Sequence, residues 1–330
     1  MGGAPAGGEP REFGNFFSSA KDFPLLPGPN LVPGEVRGYP IDLRLKARLP
    51  GWPPPWLDGA TGRLVVNVCQ WGLGSYERFL SGEGEQWLDW ARAAGEHLLE
   101  RQVREEGPHD GGWRHEEAYH HTFPLPPPWL SAMAQGQAAS LLVRLHAEGG
   151  DARHAEAARR ALLPLRVDST EGGVRATLAG GAFPEEYPTQ PPSYVLNGAI
   201  FALFGVFDVW RGLGDEDAGR LHEELGDTLA RSIHRWDTGW WSRYDLFPHP
   251  VPNYASSAYH LLHISQLEAL HVLLPRPEIA HTLARFRRYQ ASSLAPRRAF
   301  AGKALFRILV PRNVAVARRL PWSPFFRQEG

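Results

Sequence analysis

From about residue 62 the apolar positions of the chain recur at three- and four-residue spacings, the mark of helices that bury one face. Trp87, Trp90, Ala91, Ala94, Leu98 and Val103 share such a face. Ala138, Leu141, Leu142 and Leu145 form another. The pattern returns at Ala155, Ala158, Leu162 and Leu165, and again at Leu221, Leu225, Leu229 and Ile233. Two more helices are expected, from about Ser256 to Leu274 and near Glu278 to Ser292. No strand-rich block of comparable length interrupts them.

The first 60 residues read differently. Pro24, Pro27, Pro29, Pro33, Pro40 and the run Pro53-Pro54-Pro55 remove donors and fix φ, so helix is not expected there. Val36 to Ala47 alternates through Tyr39, Ile41, Leu43 and Leu45, which predicts a short strand or β-hairpin within an extended arm that wraps the body.

The links between helices are of two kinds. Glu148-Gly149-Gly150-Asp151 and Gly212-Leu213-Gly214-Asp215 are short and polar. Residues 107–130, 167–192 and 236–254 are long and rich in Gly, Pro and aromatics. Short and long links alternating between antiparallel helices predict an all-α fold, an (α/α) toroid or barrel. Its long loops would gather at one end and build a cleft. The expected organisation is an arm over 1–60, a helical barrel over 61–295 and a basic tail over 296–330.

That tail carries Arg297, Arg298, Lys303, Arg307, Arg312, Arg318, Arg319 and Arg327, with Phe300, Ile308 and Trp322 between them and no acid. Such a stretch either makes peripheral membrane contact through 297–327 or packs on the body with its arginines solvated.

Composition narrows the ligand class. The net charge of -1 provides no global field for nucleic acid, so an acidic ligand must be met by local cations. The 12 Trp and 9 Tyr fit a sugar-stacking site and fit a large aromatic core equally well. The single cysteine, Cys69, excludes an intrachain disulfide. No signal peptide or membrane-spanning run is read, so a cytoplasmic protein is expected, at the inner membrane face if the tail docks there.

The densest chemistry lies in Glu185-Glu186-Tyr187-Pro188-Thr189 and Ser193-Tyr194-Val195-Leu196-Asn197-Gly198. Prolines stiffen this loop, and Ser193 reads as the N-cap of a helix starting at Tyr194. A carboxylate and a phenol at a helix start are well placed to act on a ligand. Trp240-Trp241-Ser242-Arg243-Tyr244-Asp245-Leu246 and Asn253-Tyr254-Ala255-Ser256-Ser257-Ala258-Tyr259-His260 follow. His260 and His263 share a helix face, but no nearby acid completes a zinc set, so core histidines and no metal are expected. His120 and His121 are not at chelating spacing. The sequence has no P-loop, HExxH, dinucleotide fingerprint or GxSxG, and no cofactor is expected.

Taken together, these stretches resemble the C-terminal catalytic domain of the D-glucuronyl C5-epimerases. The matching segments are Gly111-Gly112-Trp113, Trp129 through Gln137, Glu185 through Thr189 with Val195 through Gly198, Tyr244-Asp245-Leu246, and Tyr259-His260 with His263-Ile264. The resemblance implies an (α/α) barrel, a homodimer, a uronic-acid-containing polysaccharide as substrate, and inversion of D-glucuronate to L-iduronate at C5. It implies Glu186, Tyr259 and Tyr244 as catalytic groups. It also implies Tyr187 and Asn197 as substrate-binding residues; Trp113, Gln135, Arg243 and His260 are further substrate-binding candidates.

C5 of a uronate bears a proton α to a carboxylate, so its removal requires that the anion be neutralised or strongly hydrogen-bonded. Inversion also requires a base on one face and an acid on the other. Glu186 and Tyr259 are expected in those roles, Tyr244 and Tyr187 on the carboxylate, and Asn197 on the sugar or on Glu186. In the family an arginine follows the Tyr-Asp-Leu motif and is associated with the uronate carboxylate; here Phe247 stands there. Arg243 or Arg114 would replace it, or the substrate differs. The alternatives are a polysaccharide lyase, which shares the first step, a hydrolase on the same fold, and a non-catalytic glycan-binding protein. A hydrolase would draw its acid pair from Glu185, Glu186, Asp110, Glu116, Glu117 and Asp245.

Overall fold

Helices form where the 3.6-residue pattern is sustained, and two of them, Ala132–Gly149 and Leu196–Leu213, stop at a glycine. A computed structural model describes residues 26–58, 64–118, 122–123, 125–311 and 314–322. It is mostly helical: α1 (Val65–Leu80), α2 (Gln86–Arg101), α3 (Ala132–Gly149), α4 (Ala152–Arg160), α5 (Leu196–Leu213), α6 (Glu216–Ser232), α7 (Ser257–Leu273), α8 (Pro277–Gln290) and α9 (Ala295–Leu309).

The two short links work as Gly–Asp punctuation. Gly150 ends α3 in the left-handed region at φ 70, and Asp151 caps α4 by accepting the Arg153 N–H. Gly214, at φ 63, and Asp215 do the same between α5 and α6. Pro164 stops α4 early, so Leu162 and Leu165 fall outside it, Leu165 in a 3-10 turn over Leu163–Arg166.

The second long link holds a hairpin that the sequence pattern does not reveal. Strands β1 (Arg175–Leu178) and β2 (Gly181–Pro184) pair antiparallel, with Leu178 opposite Gly181. The turn residues Ala179 (φ 50) and Gly180 (φ 79) are both left-handed, as a type I′ turn requires. Strands this short show no readable alternation.

The arm departs from expectation in the other direction. Val36 to Ala47 forms no hairpin; it has one isolated bridge, Pro27 to Ile41, and a 3-10 turn at Arg44–Ala47. Pro27, Pro29, Pro33 and Pro40 lack the donors that a ladder needs. The alternation instead reflects burial: Tyr39, Ile41 and Leu43 enter the core while Leu45 stays 40% exposed. Two buried charges tie the arm down. Glu77 of α1 accepts the Tyr39 N–H at 2.6 Å, and Arg144 of α3 donates to the carbonyls of Arg37 and Gly38 while pairing with Asp208 of α5. Residues 1–25 of the arm lie outside the described residues.

The odd helices α1, α3, α5 and α7 lie side by side as an inner row, and α2, α4, α6 and α8 each pack on their predecessor. Burial follows this order: α5 is buried from Leu196 to Val209, whereas α6 is amphipathic. By length and composition α5 could cross a membrane, contrary to the expectation of no such run, but it forms the buried centre of this fold. It crosses α3 with backbone against backbone. A Cβ on Gly205 would lie 2.1 Å from the Gly136 carbonyl oxygen, and one on Gly136 would lie 2.5 Å from the Ala202 Cα. Neither neighbour is a flexible side chain that can yield. Gly205→Ala is therefore expected to lower stability by about 3 kcal/mol. Gly149→Ala, with open space around the site, is expected to leave it unchanged or slightly raised. Urea unfolding midpoints of the two variants check this.

The long links all lead from an outer helix to the N-terminus of the next inner helix. Groups on them, and on the first turns of α3, α5 and α7, are therefore directed toward one end of the row.

Candidate active site

An aromatic cluster forms at that end from all the long links. Phe123 comes from the first, Tyr187 from the second, Tyr244 and Phe247 from the third, with Val195 before α5 and Tyr259 on α7. The Tyr244 and Tyr259 rings meet edge to face at 4.9 Å. Tyr187 lies 5.5 Å from Phe123. The Tyr244 carbonyl accepts the Leu196 N–H at 3.3 Å, which fixes the tyrosine segment to the start of α5.

Glu186 lies at the edge of this cluster, 6% exposed. Its carboxylate accepts from Asn197 Nδ2 at 3.3 Å and from the Tyr187 side chain. Asn197 is in turn held by Gln266 of α7, which donates to its carbonyl at 2.9 Å. Gly198 provides the space: a Cβ there would sit 2.4 Å from the Glu186 carboxylate. The Glu186 carboxyl is pushed up to about 8, chiefly by burial and in smaller part by the Glu185 charge, against the bonds from Tyr187 and Asn197. A carboxyl so placed can exchange a proton near neutrality.

Glu185, its neighbour in sequence, meets different partners and is used structurally. It accepts from Ser193 N at 3.0 Å, Ser193 Oγ at 2.5 Å and Tyr194 N at 2.9 Å. These bonds hold Tyr194 at φ 50, a conformation that a large side chain rarely adopts. Burial raises the Glu185 carboxyl to about 7, against the pull of those bonds. They also correct one expectation: Ser193 does not cap the helix. Its hydroxyl is engaged by Glu185 and the Tyr187 carbonyl, α5 starts at Leu196, and Val195 takes the cap position without a side-chain bond.

The site thus gathers Glu186, Tyr187, Asn197, Tyr244 and Tyr259. The other candidates lie elsewhere. Trp113 is buried with its indole N–H on the Leu98 carbonyl. Gln135 is buried, bonded to the Ala161 and Gly111 carbonyls and to Trp113 N. His260 stacks on Trp241 at 3.7 Å and has both ring nitrogens engaged, with Ser242 Oγ and the Phe286 carbonyl. Desolvation lowers it to about 4. His263 meets the same Ser242 hydroxyl at 3.1 Å. These side chains support the loops within the core and are not members of the aromatic cluster. Elsewhere, ligand-type atoms of Glu96, Asp151 and His154 converge, but Arg153 pairs with both carboxylates. His120 and His121 lie outside the described residues.

Of the expected cations, Arg114 is spent on Glu105 and His109. Arg243 is half-buried and its Nε has no hydrogen-bond partner. The cation next to Tyr244 is Lys303, on α9. Its Nζ lies 5.5 Å from the Tyr244 ring centroid and 5.4 Å from that of Phe306. It donates to Asn253 Oδ1 at 2.6 Å, while Asn253 bonds Asp245 and its carbonyl accepts the Tyr244 N–H. Lys303 lies fifty-nine positions from Tyr244 in the sequence, and the packing of α9 on the third long link brings them together.

The chain is similar to known proteins over part of its length. Residues 106–288 match the family described as D-glucuronyl C5-epimerase C-terminus. Over 159 residues the chain is 35% identical to the D-glucuronyl C5-epimerase of Caenorhabditis elegans, covering 44% of this chain and 26% of that protein. It is 28% identical over 166 residues to an uncharacterized protein of Methanocaldococcus jannaschii, covering 48% and 50% respectively. The chain therefore spans only a quarter to a half of the length of these relatives. Among solved structures, a GH127 beta-arabinofuranosidase aligns with 71% of this chain and 35% of its own, at 14% identity and a TM-score of 0.39. The family match covers more than half of the sequence and includes the Glu186, Asn197, Tyr244 and Tyr259 cluster, so the chain belongs to the D-glucuronyl C5-epimerase C-terminus family.

Proposed function

We propose that the protein inverts D-glucuronate to L-iduronate residues within a polysaccharide by removing the C5 proton and returning one to the opposite face. The observation that carries this reading is the buried Glu186 carboxyl, raised to about 8 and bonded to the side chain of Tyr187, which packs in the aromatic cluster of Tyr244 and Tyr259.

In this reading Glu186 takes the C5 proton as general base and Tyr259 delivers one from the other face, with the roles exchanged in the reverse direction. The electron pair left at C5 delocalises into the uronate carboxylate, which would carry a second negative charge. Tyr244 donates to it and Lys303 supplies the cation, while the Tyr187 O–H stays on the Glu186 carboxylate. The first turns of α5 and α7 lie at the same end, and their N-terminal partial charge favours an anionic group there. Asn197 holds the Glu186 carboxylate in place.

Two features argue against a hydrolase. Glu185 is committed to Ser193 and Tyr194, and Asp245 to Asn253, so neither is placed as a second acid across from Glu186. The double row of helices, with its long links at one end, is the repeating unit of an (α/α) toroid, the architecture we propose for the domain.

Incubating the protein with a glucuronate-containing polysaccharide tests the reaction. Iduronate resonances without ultraviolet absorbance from an unsaturated uronate support it. Unsaturated product would assign a lyase, and new reducing ends a hydrolase.

A further inference from the structure

Helix α9 has an unusual outer surface. The most exposed large apolar side chains among the described residues are Phe300 at 77%, Ile308 at 74% and Leu294 at 71%, all in this segment, with Leu305 at 51%. At 3.6 residues per turn they fall within one arc of about 140°, together with Ala301 and Ala304. The opposite arc, Ala295, Ala299 and Phe306, is buried against the body. Trp322 extends the apolar surface: it is 48% exposed and its indole N–H bonds the Leu309 carbonyl at the end of the helix.

Charge surrounds this strip with one sign. Arg307 and Arg298 flank the arc on its two edges, Arg297 lies within it, and Arg318 and Arg319 are exposed beyond its end. No Asp or Glu occurs between Glu278 and Glu329. An apolar arc bordered by arginines, with a tryptophan at its margin, matches the chemistry of an anionic lipid surface. Acyl chains take the apolar side chains and headgroup phosphates take the guanidinium groups. A second copy fits poorly, because a two-fold contact through this face would set arginines against arginines.

We infer that the outer face of α9 docks in the plane of an anionic membrane surface. This holds whether or not the site acts on uronate. The inner face of the same helix carries Lys303 beside Tyr244, so docking places the aromatic cluster within about one helix diameter, ~10 Å, of the lipid.

The test is co-sedimentation of the full chain with phosphatidylcholine vesicles containing about one-third phosphatidylserine, against phosphatidylcholine alone. The wild type is expected to pellet with the anionic vesicles and to be released by high salt. Phe300→Ser with Ile308→Ser should weaken binding at least about tenfold. Arg297→Glu with Arg318→Glu should remove the preference for anionic lipid. All four positions are exposed, so circular dichroism and the unfolding midpoint should match the wild type. Failure of the wild type to pellet, equal binding to both vesicle types, or unchanged binding by the serine variant would overturn the inference. So would a dimer in sedimentation equilibrium that the serine variant disrupts, which assigns the face to a second copy.

Discussion

Glu186→Gln is expected to abolish exchange of the C5 proton, a loss of at least about 10³-fold, while the protein remains folded and still binds polymer. Glutamine keeps the size of the side chain and can still meet Asn197 Nδ2 and the Tyr187 side chain, but it cannot accept a proton at working pH. The wild type should show a matching pH dependence. A carboxyl raised to about 8 is mostly protonated below that value, so the active base form falls about tenfold for each pH unit below it. Exchange from glucuronate should therefore rise through pH 8 and level off above. Polymer binding measured alongside exchange separates loss of the base from loss of the fold.

The second large effect is expected at Lys303. Lys303→Met removes a positive charge beside the Tyr244 ring and keeps much of the stem that packs by Phe306. If Lys303 neutralises the uronate carboxylate as charge builds in the transition state, kcat should fall about 10²–10³-fold with a smaller change in KM. Lys303→Arg should recover part of the loss. A merely structural Lys303, acting through its bond to Asn253, predicts lowered stability in both variants and a loss that the arginine does not restore. Steady-state kinetics with unfolding midpoints distinguish the two.

What is legible in the sequence follows the range of the interactions. Helix faces such as Trp87 to Leu98 and Leu221 to Leu229 are legible because periodicity is local, and the Gly150-Asp151 and Gly214-Asp215 links because capping is local. The tyrosines and Glu186 could be named from motifs, but the separation of Glu185 from Glu186 could not. Two adjacent carboxylates look alike until Ser193 and Tyr194 claim one of them. The alternation of Val36 to Ala47 was misleading because burial against α1 and α3, not strand pairing, produced it. Lys303 was hidden for the opposite reason, since its partner Tyr244 is reached only when α9 folds back over the third long link. The crossing of α3 on α5 at Gly136 and Gly205 was equally invisible, because nothing in either helix alone demands a glycine.

In the proposed reaction this site removes and returns the C5 proton of a polymer-bound uronate. Incubation of the wild type with a panel of glucuronate-containing polysaccharides in D2O, followed by NMR of the C5 position, tests it most directly. The expected result is loss of the C5 proton signal on at least one polymer, iduronate resonances growing in with it, and no change with Glu186→Gln. Retention of the C5 proton on every polymer, by a folded protein that binds them, would contradict it and leave a glycan-binding protein in its place.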